Sequence, residues 1–470
     1  MKLKLFLLAA LGALLCSIPG PVGLQHALVA VVGLTAITSL SAALHGNSYV
    51  LGIFSETSLN AYVKRTYDDK YVENSLIQES DSTIKNIKRE TDGSGDNFSW
   101  LADVDDVDGG SPDFTIAQGA AAAQSATVGS RFQAEWFAYS DVAQITEAII
   151  GKTRNNDGAW QQAVKTAMAK KMRAITHANA VAFQSKGWGE ISQITNVSGS
   201  SFKPLVASDI TKYIRGMPIH FSSTLNTAVL RSATVLYVTA VSYTVGSELV
   251  TLSGTLASVS AVNNDWAFRA GARQNSATPT RLSPAGLGAF FPNQLTDLSD
   301  ATITTLYGPD RSLNSRLYGT FIDATGGGSV ISALQDACQE ALTVGNAKKL
   351  ELYASKAVFA QVAKDMNNPV VFEGNPGTKS IGTRRLLVYT DGDSQDAHLQ
   401  VSRTTNDNQI WGYDPTQISM KSISGAPHIS TADGLTMCRQ AAAAGYEVRW
   451  FQQMLYKFAN PAGGVRIQLV

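Results

Sequence analysis

Charge is scarce in this chain. Asp, Glu, Lys and Arg make up 16% of its 470 residues against 44% hydrophobic residues, and the 38 basic and 38 acidic side chains cancel. That balance excludes a broad basic face for gripping nucleic acid. A chain so poor in charge is expected to hide much of its surface against other chains, so an assembly is expected. No run of five like charges occurs. The nearest is the acidic patch Asp103, Asp105, Asp106 and Asp108, which reads as a solvated loop. It fails the calcium-loop pattern because Val107 takes an oxygen position and no glutamate closes it.

Cysteine is almost absent. Cys16, Cys338 and Cys438 are odd in number and form no C-x-x-C pair. This excludes a disulfide framework and a zinc site. Cys338 and Cys438 fall in apolar contexts with helical spacing and read as buried structural thiols in a reducing compartment. Lysine is missing altogether between Lys88 and Lys152.

The longest gap in charge lies at the N-terminus, where no Asp, Glu, Lys or Arg occurs between Lys4 and Glu56. Residues 5–18 are one apolar run, Pro19-Gly20-Pro21 breaks it, and residues 22–44 are a second. Lys2 and Lys4 before "LFLLAALGALL" have the form of a secretory signal, and the second run is long enough to span a bilayer. Three readings stay open for residues 1–46: a signal or anchor, an assembly extension that is later removed, or a misplaced start. The next methionine is Met168, so no later methionine offers a simple start.

Chemistry-bearing patterns fail on specific residues. Gly151-Lys152-Thr153 has the ending of a phosphate-binding loop, but the first glycine of G-x-x-x-x-G-K-[ST] would stand where Thr146 is. A polar stretch, Arg154 to Gly158, also separates it from the following helix, so a turn is expected instead. The histidines, His26, His45, His177, His220, His398 and His428, form no metal-binding pair. No G-x-S-x-G elbow occurs, and "GNPGTKSIG" lacks dinucleotide spacing and reads as a surface loop. The expectation is no catalytic, cofactor-binding or metal-ligating residue and no enzyme.

What is present is a readable order of elements. Residues 56–90 are polar with a weak helical stripe at Leu59, Tyr62 and Val63, as in an arm that packs on something else. Residues 91–123, rich in Gly, Asp, Ser and Ala, read as loop. Residues 128–150 read as extended chain, half of a long hairpin. Residues 157–185 predict a long helix: Asp157 as cap, then Trp160, Val164, Met168, Met172 and Ile175, continued by Ala178, Ala182 and Phe183. At about 1.5 Å per residue it is a rod of roughly 40 Å, ended by Gly187 and Gly189.

Residues 193–271 are β-rich, and 284–328 irregular. A second helix is expected at 329–343, with Ser329 as cap and Gly345 as stop, and a third at 355–366. Short strands are expected at 350–353 and 384–389. Residues 432–444 read as helical, and 446–458 with 465–470 as antiparallel strands joined by "NPAGG".

This order resembles the major capsid protein of tailed bacteriophages, the Hong Kong 97-type capsid fold, over about residues 47–470. "DGAWQQAVKTAMAKKMRAITHANAVAFQSKGWGEISQI" is similar to that family's spine helix and its G-x-G exit. "IRGMPIHF" is similar to the opening of an added β segment, "TLYGPDRS" with Arg311 to the lead into the axial domain, and "GYEVRWFQQMLYKFANPAGGVRIQLV" to the closing strands. The resemblance implies an α+β fold in six parts. These are an N-terminal extension at 1–46, an N-arm at 47–90 and an extended loop at 91–151. A peripheral domain follows at 152–271 with the spine helix and β-rich segment, then an axial domain at 272–431, and the closing peripheral strands at 432–470.

It further implies a structural protein that self-assembles into pentamers and hexamers of an icosahedral head around double-stranded DNA, without sequence-specific contacts and without a membrane. Assembly in the host cytoplasm and scaffolding, portal and decoration proteins as partners go with it. Family members that lock neighbours through an isopeptide bond use a lysine on the extended loop. With no lysine there, contacts here are expected to be non-covalent. A secreted or membrane-anchored surface protein and a cellular nanocompartment shell remain the alternatives.

Overall fold

A computed structural model describes residues 81–103, 111–123, 129–146, 157–226, 229–294, 296–326, 329–365, 385–391, 395–430, 437–440 and 445–469. The apolar N-terminus, the arm before residue 81, the acidic patch after Asp103, the Gly-Lys-Thr turn and the 374–382 loop lie outside them.

The described chain begins at an anchor. The Asp81 carboxylate caps α1 (Ser82–Lys85) by accepting from the Thr83 amide at 3.1 Å, and accepts from Ser402 Oγ and the Arg403 amide at 3.1 and 3.2 Å. β1 (Lys88–Glu90) follows. β2 (Asn97–Asp103) and β3 (Gly129–Glu135) form an antiparallel ribbon, with α2 (Phe114–Ala123) in the connection. The 91–123 segment expected as loop thus holds a strand and a helix. Its Gly, Asp and Ser content masks an alternation of Phe98, Trp100 and Ala102, which tertiary packing converts into a strand.

The extended reading of 128–150 holds over its described part, 129–146: β3 is followed by β4 (Phe137–Thr146). The long helix α3 (Asp157–Gln184) is where the sequence puts it. Ile175, Ala178 and Phe183 of its stripe are buried. Its exit turns at Gly187 and Gly189, with φ of 92° and 68°, values a side chain disfavours. A Cβ on Gly189 would also lie 2.1 Å from the Ala272 Cβ.

The β-rich segment is a closed six-stranded barrel. Its strands are β5 (Glu190–Ser198), β6 (Ser201–Pro204), β7 (Pro218–Ser222), β8 (Leu236–Ser242), β9 (Leu249–Leu252) and β10 (Trp266–Arg269), in the order β10-β5-β6-β9-β8-β7. Alternate residues point inward, and Ile194, Phe202, Tyr213, Ile219, Phe221 and Val250 fill it.

The described residues of 284–328 are mostly irregular, with the short α4 (Leu287–Phe290), α5 (Ala301–Thr304) and β11 (Thr320–Asp323) and 3-10 turns at Arg311–Leu313 and Ser315–Leu317. Arg311 organises them. Fully buried, it donates to the Ile303 carbonyl from Nε at 3.0 Å and to the Ala289 carbonyl from Nη2 at 2.8 Å. α6 (Val330–Gln339) is the expected second helix, continued by a π turn to residue 344 before Gly345. Ser329 stands at its N-cap with extended backbone, but its side chain makes no capping bond. Cys338 is fully buried there, as expected.

β12 (Leu350–Ala354), α7 (Lys356–Asp365) and β13 (Arg385–Asp391) also fall where expected. β14 (Gln395–Val401), β15 (Gln409–Tyr413), β16 (Ile418–Ser422) and β17 (His428–Ile429) follow.

Two expectations fail near the C-terminus. Residues 438–439, expected as helix, form β18 (Cys438–Arg439), an edge pairing on β19 (Gly445–Phe458), and Cys438 is only half-buried. β19 and β20 (Val465–Gln468) are not a hairpin. β19 is the trunk of one sheet, in the order β1-β16-β19-β17 with β4 and β18 also on it. β20 lies in a second sheet, β11-β20-β15-β12-β14-β13. The "NPAGG" turn carries the chain across: Gly464 is so close to Phe291 that a Cβ would sit 2.0 Å from its Cζ. That approach directs β20 away from β19.

The main core fills the space between α3, α4 and these sheets. Phe183 of α3 meets Tyr456 and Tyr413 edge-on at 4.9 and 5.5 Å, and Phe290 stacks on Phe458 at 4.0 Å. α6 and α7 bury Leu334, Cys338, Val358 and Val362 with Leu350 and Leu352 of the second sheet in a separate cluster.

Candidate assembly interface

The ribbon is held at its root. One face of it, Trp100 and Ala102 of β2 with Phe132 and Ala134 of β3, is buried in the main core. Trp100 stacks on Phe132 at 5.3 Å and donates its indole N–H to the Phe458 carbonyl at 3.0 Å. The Gln133 amide donates to the Tyr307 carbonyl at 2.8 Å. On the other side of the root, Lys421 binds Glu90 and, at 2.7 Å, Asp92. Its ammonium also lies 5.3 Å from the Phe98 ring. The Lys421 bond, helped by Lys88, holds the Glu90 carboxyl down at about 2. Burial opposes the charge on Lys421, but its two carboxylates outweigh it and raise its affinity for the proton.

Beyond this root the surface changes. Leu101 is 69% exposed, and in α2 Phe114 and Ile116 are 79% and 61% exposed. No charged residue occurs from position 114 to 130. A helix with bare aromatic and aliphatic side chains and no charge has a surface suited to another protein rather than to water. The sequence reading passed over these residues, although the charge-free run was a legible signal.

The long helix is fixed just as firmly. Asn179 and Gln452 exchange amide hydrogen bonds at 3.2 and 2.7 Å, and Tyr456 Oη donates to the Asn179 carbonyl at 3.0 Å. Lys171 pairs with Asp141 of β4 at 2.7 Å. β4 runs antiparallel to β19 from Phe137↔Met454 to Thr146↔Gly445, so helix and ribbon share one rigid support.

No protein-family model matches this chain, and no curated protein does. Solved structures do match it. They include the cyanophage A-1(L) capsid asymmetric unit, at 9% identity and a TM-score of 0.46, covering 89% of this chain and 98% of that one. The capsid of the native GTA particle matches at 9% identity and a TM-score of 0.43, covering 88% and 98%. The capsid of Myoviridae phage XM1 matches at 8% identity and a TM-score of 0.35, covering 87% and 98%.

His177 packs inside: it is buried, its Nε2 lies 2.9 Å from the Thr211 carbonyl, and burial lowers its pKa to about 4. No group of His, Cys, Asp and Glu able to hold a metal ion occurs among the described residues. Nor is any helix among them long and apolar enough to cross a membrane.

Proposed function

We propose that this chain is a major capsid protein, a structural subunit that self-assembles into the pentamers and hexamers of an icosahedral phage head enclosing double-stranded DNA. The observation that carries the proposal is the ribbon. Its root is fixed by a buried aromatic face and an ion cluster, while the connection beyond carries a charge-free helix with Phe114 and Ile116 in the open. Rigid support under an apolar, unpaired element is what a subunit needs to reach a neighbour.

The order of elements supports the same reading: anchored arm, ribbon, long helix, barrel, then a mixed sheet with two helices. In this proposal residues 47–90 are the N-arm and 91–151 the extended loop. Residues 152–271 with 432–470 form the peripheral domain, and 272–431 the axial domain. Residues 1–46 are an extension absent from the finished shell. The barrel is the added β segment. Scaffolding, portal and decoration proteins are its partners in the host cytoplasm. The particle has no membrane, contacts with DNA are not sequence-specific, and the subunit does no catalysis.

Negative-stain electron microscopy and sedimentation test this on the expressed chain and on a Phe114→Ser/Ile116→Ser double variant. Closed shells or capsomer rings are expected from the first and unassembled subunits with an unchanged urea midpoint from the second. A monodisperse wild-type monomer, or a double variant that assembles normally, would refute the proposal.

A further inference from the structure

Residues 81–90 form a strap on the body, and its first residue meets a loop that also touches the barrel. Three donors of that loop converge on the Asp81 carboxylate: Ser402 Oγ at 3.1 Å, the Arg403 amide at 3.2 Å and Thr404 Oγ1 at 3.2 Å. Ser402 and Thr404 are buried. The Ser402 oxygen accepts from the Thr404 and Thr405 amides, both at 3.2 Å, so its lone pairs are used and its one proton is left for Asp81. Thr404 Oγ1 accepts from Gln184 of α3 at 2.7 Å, which leaves its proton for Asp81 as well. Asp81 thus sets the shape of the loop. Without the carboxylate, three donors lose an acceptor together, and buried donors do not stay unpaired.

The same loop supports the barrel. The Arg403 carbonyl accepts from Thr211 Oγ1 at 2.7 Å, and the Asp407 amide donates to Ser208 Oγ at 2.9 Å. Both partners lie in the barrel's 3-10 turn, Ala207–Lys212. The Arg403 side chain donates to Tyr243 just after β8, whose hydroxyl donates to the Tyr213 carbonyl at 3.2 Å. Arg403 therefore has its amide on the strap and its carbonyl and side chain on the barrel. Both backbone groups belong to one residue, so a rotation that releases Asp81 also moves the carbonyl under Thr211.

The barrel has other supports. Its two ends meet where the Arg269 amide donates to the Gly189 carbonyl at 2.9 Å, and Arg269 Nη1 donates to Tyr139 Oη at 3.0 Å. The Thr224 carbonyl accepts from Arg273 at 2.8 Å, and Asn226 donates to Asp300. None of these involves the strap. A closed barrel whose entry and exit coincide can tilt about that neck, and the 402–407 loop is the prop that bears on its 3-10 turn. The strap likewise has ties of its own, from Ser82 Oγ to the Val401 carbonyl at 2.7 Å and from Asn86 to Glu351 at 2.8 Å.

We propose that the 402–407 loop is a coupling junction: seating of the Asp81 carboxylate fixes the loop, and the loop fixes the tilt of the barrel. The strap is a conformational control on the barrel, and the barrel on the strap, because such a coupling is reciprocal.

Hydrogen exchange read by mass spectrometry tests this on the full chain, with all variants in one assembly state. Asp81→Asn keeps the size of the side chain but removes the carboxylate. It is expected to speed exchange at residues 207–213, which include the bonded Asp209 and Tyr213 amides, by about five-fold or more. Thr211→Val works from the barrel side and is expected to speed exchange of the Ile84 and Lys85 amides, which bond to the Asp81 carbonyl. The Phe202–Val250 pairing inside the barrel and the Leu352–Gly412 pairing in the second sheet should keep their rates in both variants. If Asp81→Asn fails to fold, Thr211→Val decides. Unchanged exchange at 207–213 in the first variant or at residues 84–85 in the second would overturn the proposal. So would a rise of equal size in the two control pairings, since that is general loosening and not coupling.

Discussion

Gly189 offers a sharp test of the helix exit. Two features make it intolerant of a side chain, and they can be separated. The first is backbone: its φ of 68° lies in the left-handed region, which costs an L-residue about 1–2 kcal/mol. The second is space: a Cβ would stand 2.1 Å from the Ala272 Cβ, so one strand of backbone must shift by more than an ångström. Forced overpacking of that kind costs about 1–3 kcal/mol. Against both stands the reduced freedom of the unfolded chain, which returns about 0.4–1 kcal/mol for Gly→Ala.

Gly189→Ala is therefore expected to destabilise the subunit by about 2–4 kcal/mol. Gly216 is the matched control. Its φ of 87° is as unfavourable, but nothing lies within 4 Å of a Cβ built on it. Gly216→Ala should cost about 1 kcal/mol, the strain alone. Urea unfolding of unassembled subunits, followed by tryptophan fluorescence, measures the pair. Equal midpoints for the two variants would show that the contact with Ala272 is not a constraint, and the account of the helix exit would be wrong.

Other substitutions probe the remaining supports. Burial keeps His177 neutral down to about pH 4, against an ordinary value of 6.5. Its neutrality therefore contributes stability above pH 6.5 that is lost as pH falls from there towards 4. A His177→Gln variant should show a flatter pH dependence of the urea midpoint over that window. Glu90, held at about 2 against 4.5, contributes stability present above pH 4.5 and lost as pH falls towards 2. Lys421→Met should remove that acid limb and speed proteolytic cutting at the ribbon root, an effect that salt weakens because Asp92 is largely exposed. Phe183→Ala, at the centre of the aromatic core, should cost about 3–5 kcal/mol in urea unfolding. With no lysine from residue 89 to 151, denaturing gels of assembled particles should show single chains and no covalent ladder.

The long helix was legible because its signals are local: spaced apolar residues and two glycines at its end. α6, α7 and β12 were legible for the same reason. The β-rich character of 193–271 could be read, but closure into a barrel depends on strand partners that no local pattern names. β2 was hidden because Trp100 and Ala102 gain their meaning only from Phe132 and Phe458. The β19–β20 hairpin failed because a tight turn with glycine is the ordinary sign of strand pairing. Here Gly464 makes room for Phe291 instead, and Gly463 lies against Gly345 and Ala347. The apolar surface of α2 was visible as missing charge, but its composition of small residues passed for loop.

The pairing of β4 with β19 has a consequence for how the chain is made. The ribbon root, β4 and the long helix all rest on a strand that is made long after them. β11 waits likewise for β20. The barrel finds every strand partner within residues 190–269. It can fold before the later strands are made, whereas the two sheets built on β19 and β20 close only after residues 445–468 emerge. A chain made only as far as the barrel therefore lacks the strand that supports the ribbon root.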